Sequence, residues 1–287
     1  MENILQETKF ILKKYNIKAN KSLGQNFLID KTVVETIVDS ANIGNEDLVI
    51  EIGPGLGTLT EFLIQKAKKV ICVELDERMV NILHDRFLLY KNLEVINEDI
   101  LKLKLNEIIE NEKIQNNIQN VKVVANLPYY ITTPIVMKLL EEKLDIESIT
   151  IMIQKEVADR LIEVPGEKNT GAITYAVRYY AEPEGIIEVP NNSFIPEPEV
   201  ISKVLKLKIR KEPAVEVINP DRMFKIIKTA FMQRRKTLLN ALVNGGIFES
   251  KEECIKVFNE LGFDINTRGE KLSLEDYARL SNYSYNS

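Results

Sequence analysis

Glu46-Asp-Leu-Val-Ile-Glu-Ile-Gly-Pro-Gly-Leu-Gly-Thr58 decides the fold. Leu48-Val-Ile-Glu-Ile-Gly53 is a short apolar run rich in β-branched residues, the composition of a buried strand. It runs into Gly53, Gly55 and Gly57, after which residues 58–67 show helical spacing through Leu59, Phe62 and Leu63. A strand, a glycine turn and a helix in that order open a βαβ unit. Glycines let the backbone approach a ligand closely, and a helix N-terminus then lies beside it. The spacing is G-x-G-x-G. The dinucleotide fingerprint needs a glycine at the sixth position counted from Gly53, where this chain has Thr58, so a nicotinamide dehydrogenase is disfavoured.

The same alternation continues outward. Val70-Ile-Cys-Val-Glu-Leu75 predicts a second strand, 79–89 a helix and Leu93-Glu-Val-Ile96 a third strand. Residues 100–120 read as a helix and a surface loop. Val121-Lys-Val-Val-Ala125 and Ser148-Ile-Thr-Ile-Met-Ile153 predict two further strands. Strands alternating with helices imply an α/β fold with a mostly parallel sheet. From 175 to 207 the pattern turns to strand-like runs broken by Pro183, Pro190, Pro196 and Pro198. After Pro213 it is helical, over 221–240, 251–261 and 273–282. The expected organisation is one α/β domain over 1–210 and a small helical domain over 211–287, with no internal repeat.

Composition narrows the chemistry. Among 287 residues, 45% are apolar and 28% charged, which excludes a wholly disordered chain. No stretch approaches the roughly 18 apolar residues that span a membrane. Residues 1–15 mix charges with isolated apolar residues and lack the apolar centre of a secretory signal. Two cysteines and one histidine leave no room for a disulfide framework, a cysteine metal site or a histidine-centred triad. These features point to a cytoplasmic protein that uses neither metal nor thiol. The net charge is −5, yet residues 201–240 carry eleven cations against three carboxylates, a net +8. That zone is either a polyanion footprint or a solvated helix face.

Two carboxylates strengthen the glycine turn. Glu74 closes the second strand 21 residues after Gly53, where its two oxygens can accept from both ribose hydroxyls of an adenosyl ligand. Asp99 follows the third strand, where it can accept from an adenine amino group; Asp76, Glu77 and Glu98 are weaker candidates. Asn126-Leu-Pro-Tyr129 then follows the fourth strand on the same sheet edge. An exocyclic adenine nitrogen is a poor nucleophile because its lone pair is delocalised into the ring. The Asn126 side-chain oxygen and the Leu127 carbonyl can accept its two N–H bonds, draw it toward tetrahedral geometry and aim the lone pair at a methyl sulfonium. Tyr129 offers a ring for stacking on an extruded base. No strong base is required, since the methylated amine cation loses its proton readily.

Six segments stand in order: Lys21-Ser-Leu-Gly-Gln-Asn-Phe-Leu28, the glycine turn, Asn126-Leu-Pro-Tyr129, Gln154-Lys-Glu-Val157, Phe194-Ile-Pro-Glu-Pro-Glu-Val200 and Arg234-Arg-Lys-Thr-Leu238. From about residue 21 to residue 277 the chain resembles the bacterial small-subunit ribosomal RNA adenine dimethyltransferases. The resemblance implies a class I, Rossmann-like methyltransferase fold with a helical C-terminal domain for RNA and subunit recognition. It implies S-adenosylmethionine as donor, no metal, and two adjacent adenosines in a hairpin near the 3′ end of 16S rRNA as targets. Each would receive two methyl groups on N6 during small-subunit biogenesis. By matching position, Asn26, Leu28, Gly53, Gly55, Glu74 and Asp99 would hold the cofactor, with Gln25 a neighbour. Asn126 and Leu127 would stand at the reacting centre. Tyr129 and Phe194 would be opposed stacking rings, and Arg234, Arg235 and Lys236 would face RNA. Leu239, where a basic residue is expected, and Asn169-Thr170, where an aromatic is commoner, depart from the pattern. The expected partner is 16S rRNA within the small subunit, with no membrane association and a monomeric protein. The rivals are the related antibiotic-resistance methyltransferase acting on 23S rRNA and a catalytically idle assembly factor on the same fold.

Overall fold

The computed structural model describes residues 3–20 and 23–286; Lys21 and Ser22 of the first motif lie outside the described residues. Contacts divide the chain into two units. One comprises 1–158 and 184–209, the other 159–183 and 210–287. The boundary at 210 adjoins the one read from sequence, but 159–183 belongs with the helices rather than with the α/β unit.

The chain begins with α1 (Ile4–Lys14), β1 (Phe27–Leu28) and α2 (Lys31–Ser40). The alternating core follows: β2 (Asp47–Ile52), α3 (Thr60–Lys66), β3 (Lys69–Glu74), α4 (Glu77–Arg86), β4 (Leu93–Asn97), α5 (Leu105–Asn116), β5 (Asn120–Asn126), α6 (Thr132–Glu141) and β6 (Ser148–Gln154). After α7 (Lys155–Ile162) and α8 (Ala172–Tyr180) come β7 (Ala181–Val189), β8 (Phe194–Ile195) and β9 (Ser202–Ile209). The sheet order is β4-β3-β2-β5-β6-β9-β7. Strands β2 to β6 are mutually parallel and β9 runs antiparallel to β6.

All six residues of β2 are buried, as a strand covered on both faces requires. Its first residue, Asp47, meets Lys122 of β5 at 2.7 Å with both side chains nearly inaccessible. Burial alone would raise the Asp47 carboxyl, but hydrogen bonds from Lys122, Gly44 and Asn120 outweigh it and hold it below its ordinary value. A buried pair satisfied this fully fixes the β2–β5 register, since sliding either strand would strand a charge. The order of strands reverses between β2 and β5, and in such sheets ligands bind outside the carboxyl ends at the reversal. Gly53, Glu74, Asp99 and Asn126 all lie at those ends.

The second unit is completed by α9 (Pro220–Met232), α10 (Leu238–Asn244), α11 (Lys251–Leu261) and α12 (Leu274–Asn286). Met223, Ile226, Ile227 and Ala230 present a 3.6-residue stripe to a core shared with Leu238, Leu242, Phe258 and Tyr277. Two expectations change here. Residues 175–180 are the end of α8, not a strand: Tyr175 and Tyr179, one helical turn apart, both enter this core. The helix expected over 221–240 is broken at 233–237, because Thr237 caps a new helix by accepting the Asn240 N–H. Arg234, Arg235 and Lys236 occupy the break. Leu239 is buried in the helical core, which accounts for an apolar residue where a basic one was expected.

Candidate active site

A cleft opens at the carboxyl ends of β2, β3, β4 and β5. It is lined by Gln25, Asn26, Leu28, Gly53, Gly55, Glu74, Asp99, Asn126, Leu127 and Tyr129, so the structure gathers ten of the residues singled out from sequence. Gly53 has φ +65° and a Cβ there would meet nothing within 4 Å, so the turn offers bare backbone to the cleft. Gly57 is required for the opposite reason: at φ +83° its Cβ would lie 2.6 Å from the Phe87 ring and 2.8 Å from Leu83. The turn therefore rests directly on the end of α4. Arg86 reinforces it, donating to the Leu56 carbonyl and, through Nη2, to Glu7 at 2.5 Å and Glu61 at 3.3 Å. The first helix is thereby tied to the glycine turn.

Glu74 is held across the strand end. Its Oε2 accepts from the Gly55 N–H at 3.1 Å and its Oε1 from the Asp76 N–H at 2.9 Å. Burial holds its carboxyl above the ordinary value, and these two N–H groups offset only part of that rise. Each oxygen keeps a lone pair for a ligand hydroxyl. Asp99 accepts the Leu101 N–H on Oδ1 at 2.9 Å, which leaves Oδ2 without a hydrogen bond among the described residues. Gln25 lines the cleft but is occupied as a brace: its Oε1 accepts the Asn20 N–H and its Nε2 donates to Asp76.

At the other end of the cleft, Asn126 Nδ2 donates to the Asn26 carbonyl at 3.3 Å. That bond turns the amide so that Oδ1 remains an acceptor. The Leu127 N–H is taken by the Met152 carbonyl at 3.1 Å. Among the described residues, neither Asn126 Oδ1 nor the Leu127 carbonyl accepts a hydrogen bond. Two neighbouring unfilled acceptors suit a primary aromatic amine, which has two N–H bonds to donate. Tyr129 is half-buried and its hydroxyl lies 2.6 Å from Ser202 Oγ, which fixes the ring; burial raises its phenol.

Phe194 stands apart from these residues. It lies opposite Leu28 in the β1–β8 ribbon and is 1% exposed in the core with Val34 and Val204. It is not among the residues that line the cleft. Arg234, Arg235 and Lys236 belong to the helical unit and do not line the cleft either. Arg234 pairs with Glu270 at 2.9 Å and lies over the Phe231 ring, whereas Arg235 and Lys236 are exposed. The basic zone of 201–240 is thus divided. Lys203, Lys206 and Lys208 lie on β9, with Lys206 donating to the Ser40 carbonyl, and the remainder lie in the helical unit.

Sequence reasoning passed over Glu51, Tyr130 and Arg86. The signal for Glu51 was a carboxylate inside an otherwise apolar strand. It is 1% exposed, lines the cleft and accepts from Thr60 Oγ1 at 2.6 Å and from Cys72 Sγ at 3.4 Å. Burial pushes its carboxyl up to about 7 from an ordinary 4.5. The protonated form is therefore favoured by folding. Its contribution to stability is complete below pH 4.5, falls as pH rises through 7 and is then lost, on the order of 3 kcal/mol in all. Urea midpoints at pH 5 and pH 8 should fall less in Glu51→Gln than in the parent; equal falls would place the titration elsewhere.

Residues 16–285 match the family described as ribosomal RNA adenine dimethylase. The chain is 50% identical over 275 residues to "Ribosomal RNA small subunit methyltransferase A" of Alkaliphilus metalliredigens, covering 96% of this chain and 95% of that one. It is 48% identical over 277 residues to the protein of the same name from Bacillus cereus, covering 96% and 94%. Among solved structures, a dimethyladenosine transferase from Plasmodium falciparum superposes with a TM-score of 0.74 at 27% identity, over 88% of this chain and 95% of that one. The 23S rRNA methyltransferase ErmE superposes with a TM-score of 0.68 at 24% identity, over 91% and 100%, and shares the fold. The sheet order, the glycine turn and these likenesses describe a Rossmann-like class I methyltransferase, and the chain belongs to the ribosomal RNA adenine dimethylase family.

Proposed function

We propose that this protein dimethylates N6 of two adjacent adenosines in a hairpin near the 3′ end of 16S rRNA, using S-adenosylmethionine, as part of small-subunit assembly. The observation that carries the reading is the pair of unfilled acceptors, Asn126 Oδ1 and the Leu127 carbonyl, in the same cleft as the Glu74 and Asp99 carboxylates. The cleft fits the cofactor: Gly53 leaves room for close approach, Glu74 is placed for ribose hydroxyls and Asp99 Oδ2 for an adenine amino group. Besides the buried Glu51, whose protonated form folding favours, the carboxylates Glu74, Glu98 and Asp99 line it and suit a cationic ligand. When bound, the cofactor supplies an electrophilic methyl group on sulfonium. The protein's part is to orient. In the first transfer Asn126 Oδ1 and the Leu127 carbonyl accept the two N6–H bonds, which localises the nitrogen lone pair and directs it out of the base plane; the methylated nitrogen then loses one proton and keeps one N–H for an acceptor in the second. Tyr129, fixed by Ser202, holds the base by its ring face. The half-buried cleft limits water around the acceptors and strengthens both hydrogen bonds.

The helical unit is assigned to subunit recognition through Arg235 and Lys236, which stand free of ion pairs among the described residues. Arg235→Ala with Lys236→Ala should lower the slope of log affinity against log salt by up to about 2 and leave cofactor affinity unchanged. An unchanged slope would make these cations a solvated face. The activity itself is tested with labelled cofactor and purified ribosomal subunits from a strain lacking the protein. Transfer to small subunits supports the proposal; transfer to large subunits favours the 23S type, and none favours an assembly factor.

A further inference from the structure

We propose that Tyr130 is the platform on which the base next to the target adenosine stacks. This rests on the functional reading above. Among the described residues, three aromatic side chains line the cleft: Phe27, Tyr129 and Tyr130. Phe27 is 6% exposed and packed in a core cluster, and Tyr129 is tied by its hydroxyl to Ser202. Tyr130 is 57% exposed and makes no aromatic contact among the described residues. Its ring is nevertheless seated. Gly24, at φ +60°, leaves the space that a Cβ would occupy 3.4 Å from Tyr130 Cδ1 and 3.4 Å from Pro128 Cβ. The ring thus lies close over bare backbone at the cleft wall, and much of its surface faces solvent. A 3₁₀ turn over Tyr129–Ile131, closed by the Ile131 N–H donating to the Pro128 carbonyl, sets the two tyrosines side by side.

Extruding a base from a strand breaks its stacking on the next base and leaves one face of that neighbour bare. A ring at the mouth of the cleft, one residue from the ring that holds the extruded base, restores the lost stacking. With two adjacent adenosines as targets, each is the other's neighbour. Tyr130 then carries the purine that is waiting while its partner reacts. Phe194, a residue of the β1–β8 ribbon, is 1% exposed and does not line the cleft.

The test compares the parent with Tyr130→Ala and Tyr130→Phe on small subunits from a strain lacking the protein. Tyr130→Ala should raise the KM for subunits about 5- to 150-fold, the range for one base–aromatic stack, with kcat at saturation and cofactor affinity near those of the parent. Tyr130→Phe should restore the KM. Subunits in which one target adenosine is replaced by uridine should show a smaller penalty for Tyr130→Ala, because a pyrimidine offers less surface to stack. An unchanged KM in Tyr130→Ala, a loss of cofactor affinity, or an equal penalty on the uridine substrate would overturn the inference while leaving the functional reading standing. A parent that transfers no methyl groups to these subunits would overturn both.

Discussion

Asn126→Ala should lower methyl transfer to small subunits by roughly 10²–10³ at saturating cofactor, the cost of removing one oriented polar group from a reacting centre. The substitution removes Oδ1, one of the two acceptors for the N6–H bonds. The fold should survive, since the Asn126 side chain makes one 3.3 Å hydrogen bond to the Asn26 carbonyl and β5 is held by its ladders to β2 and β6. Cofactor affinity should fall little, and the defect should appear in kcat. Single-turnover transfer with calorimetric titration of the cofactor separates the two effects. A variant within a few-fold of the parent rate would remove Asn126 from the reacting centre. Asn126→Asp is informative as well: it keeps an acceptor but gives up the donation to Asn26, so the remaining loss measures the value of fixing the amide.

Glu74→Ala should weaken the cofactor by about 1.5–3 kcal/mol, roughly 10- to 150-fold in Kd, through loss of charge-assisted hydrogen bonds to the ribose. Glu74 also receives the Gly55 and Asp76 N–H groups, so its removal frees one amide of the glycine turn. Glu74→Gln separates these contributions: it keeps the side-chain volume and one acceptor, and should recover part of the affinity. Isothermal titration with S-adenosylmethionine, with thermal unfolding of the same samples, reads both. A normal Kd in Glu74→Ala would move the ribose elsewhere.

The α/β core was legible because its signals are local. A parallel strand buried on both faces reads as a mostly apolar run, and β2, β3, β5 and β6 each do so despite Glu51 in β2 and Lys122 in β5. The cleft was legible because its polar residues lie directly after those strands, and strand ends in a parallel sheet meet at one edge. What sequence could not show depends on three-dimensional packing. Ala172–Tyr180 carries the β-branched and aromatic residues of a strand, yet Tyr175 and Tyr179 find a helical core made by chain more than forty residues away. Phe194 stands in a recognisable motif, but its direction is set by pairing with Leu28, 166 residues earlier. Tyr130 was hidden behind its neighbour, since only exposure separates two adjacent tyrosines. The basic zone summed charges that the fold distributes between a sheet strand and a helical unit, and Glu270 neutralises Arg234 from a position that no local count includes.

The central claim is that the acceptors at Asn126 and Leu127 serve two neighbouring adenine amines of small-subunit RNA. The most direct measurement is mass spectrometry of ribonuclease fragments of 16S rRNA, after small subunits from a strain lacking the protein have been incubated with it and S-adenosylmethionine. The account predicts two adjacent adenosines near the 3′ end, each carrying two methyl groups on N6, and neither modified when Asn126→Ala replaces the parent for the same short incubation. Methyl groups on a different base, on a different atom of adenine, or on 23S rRNA instead would contradict it.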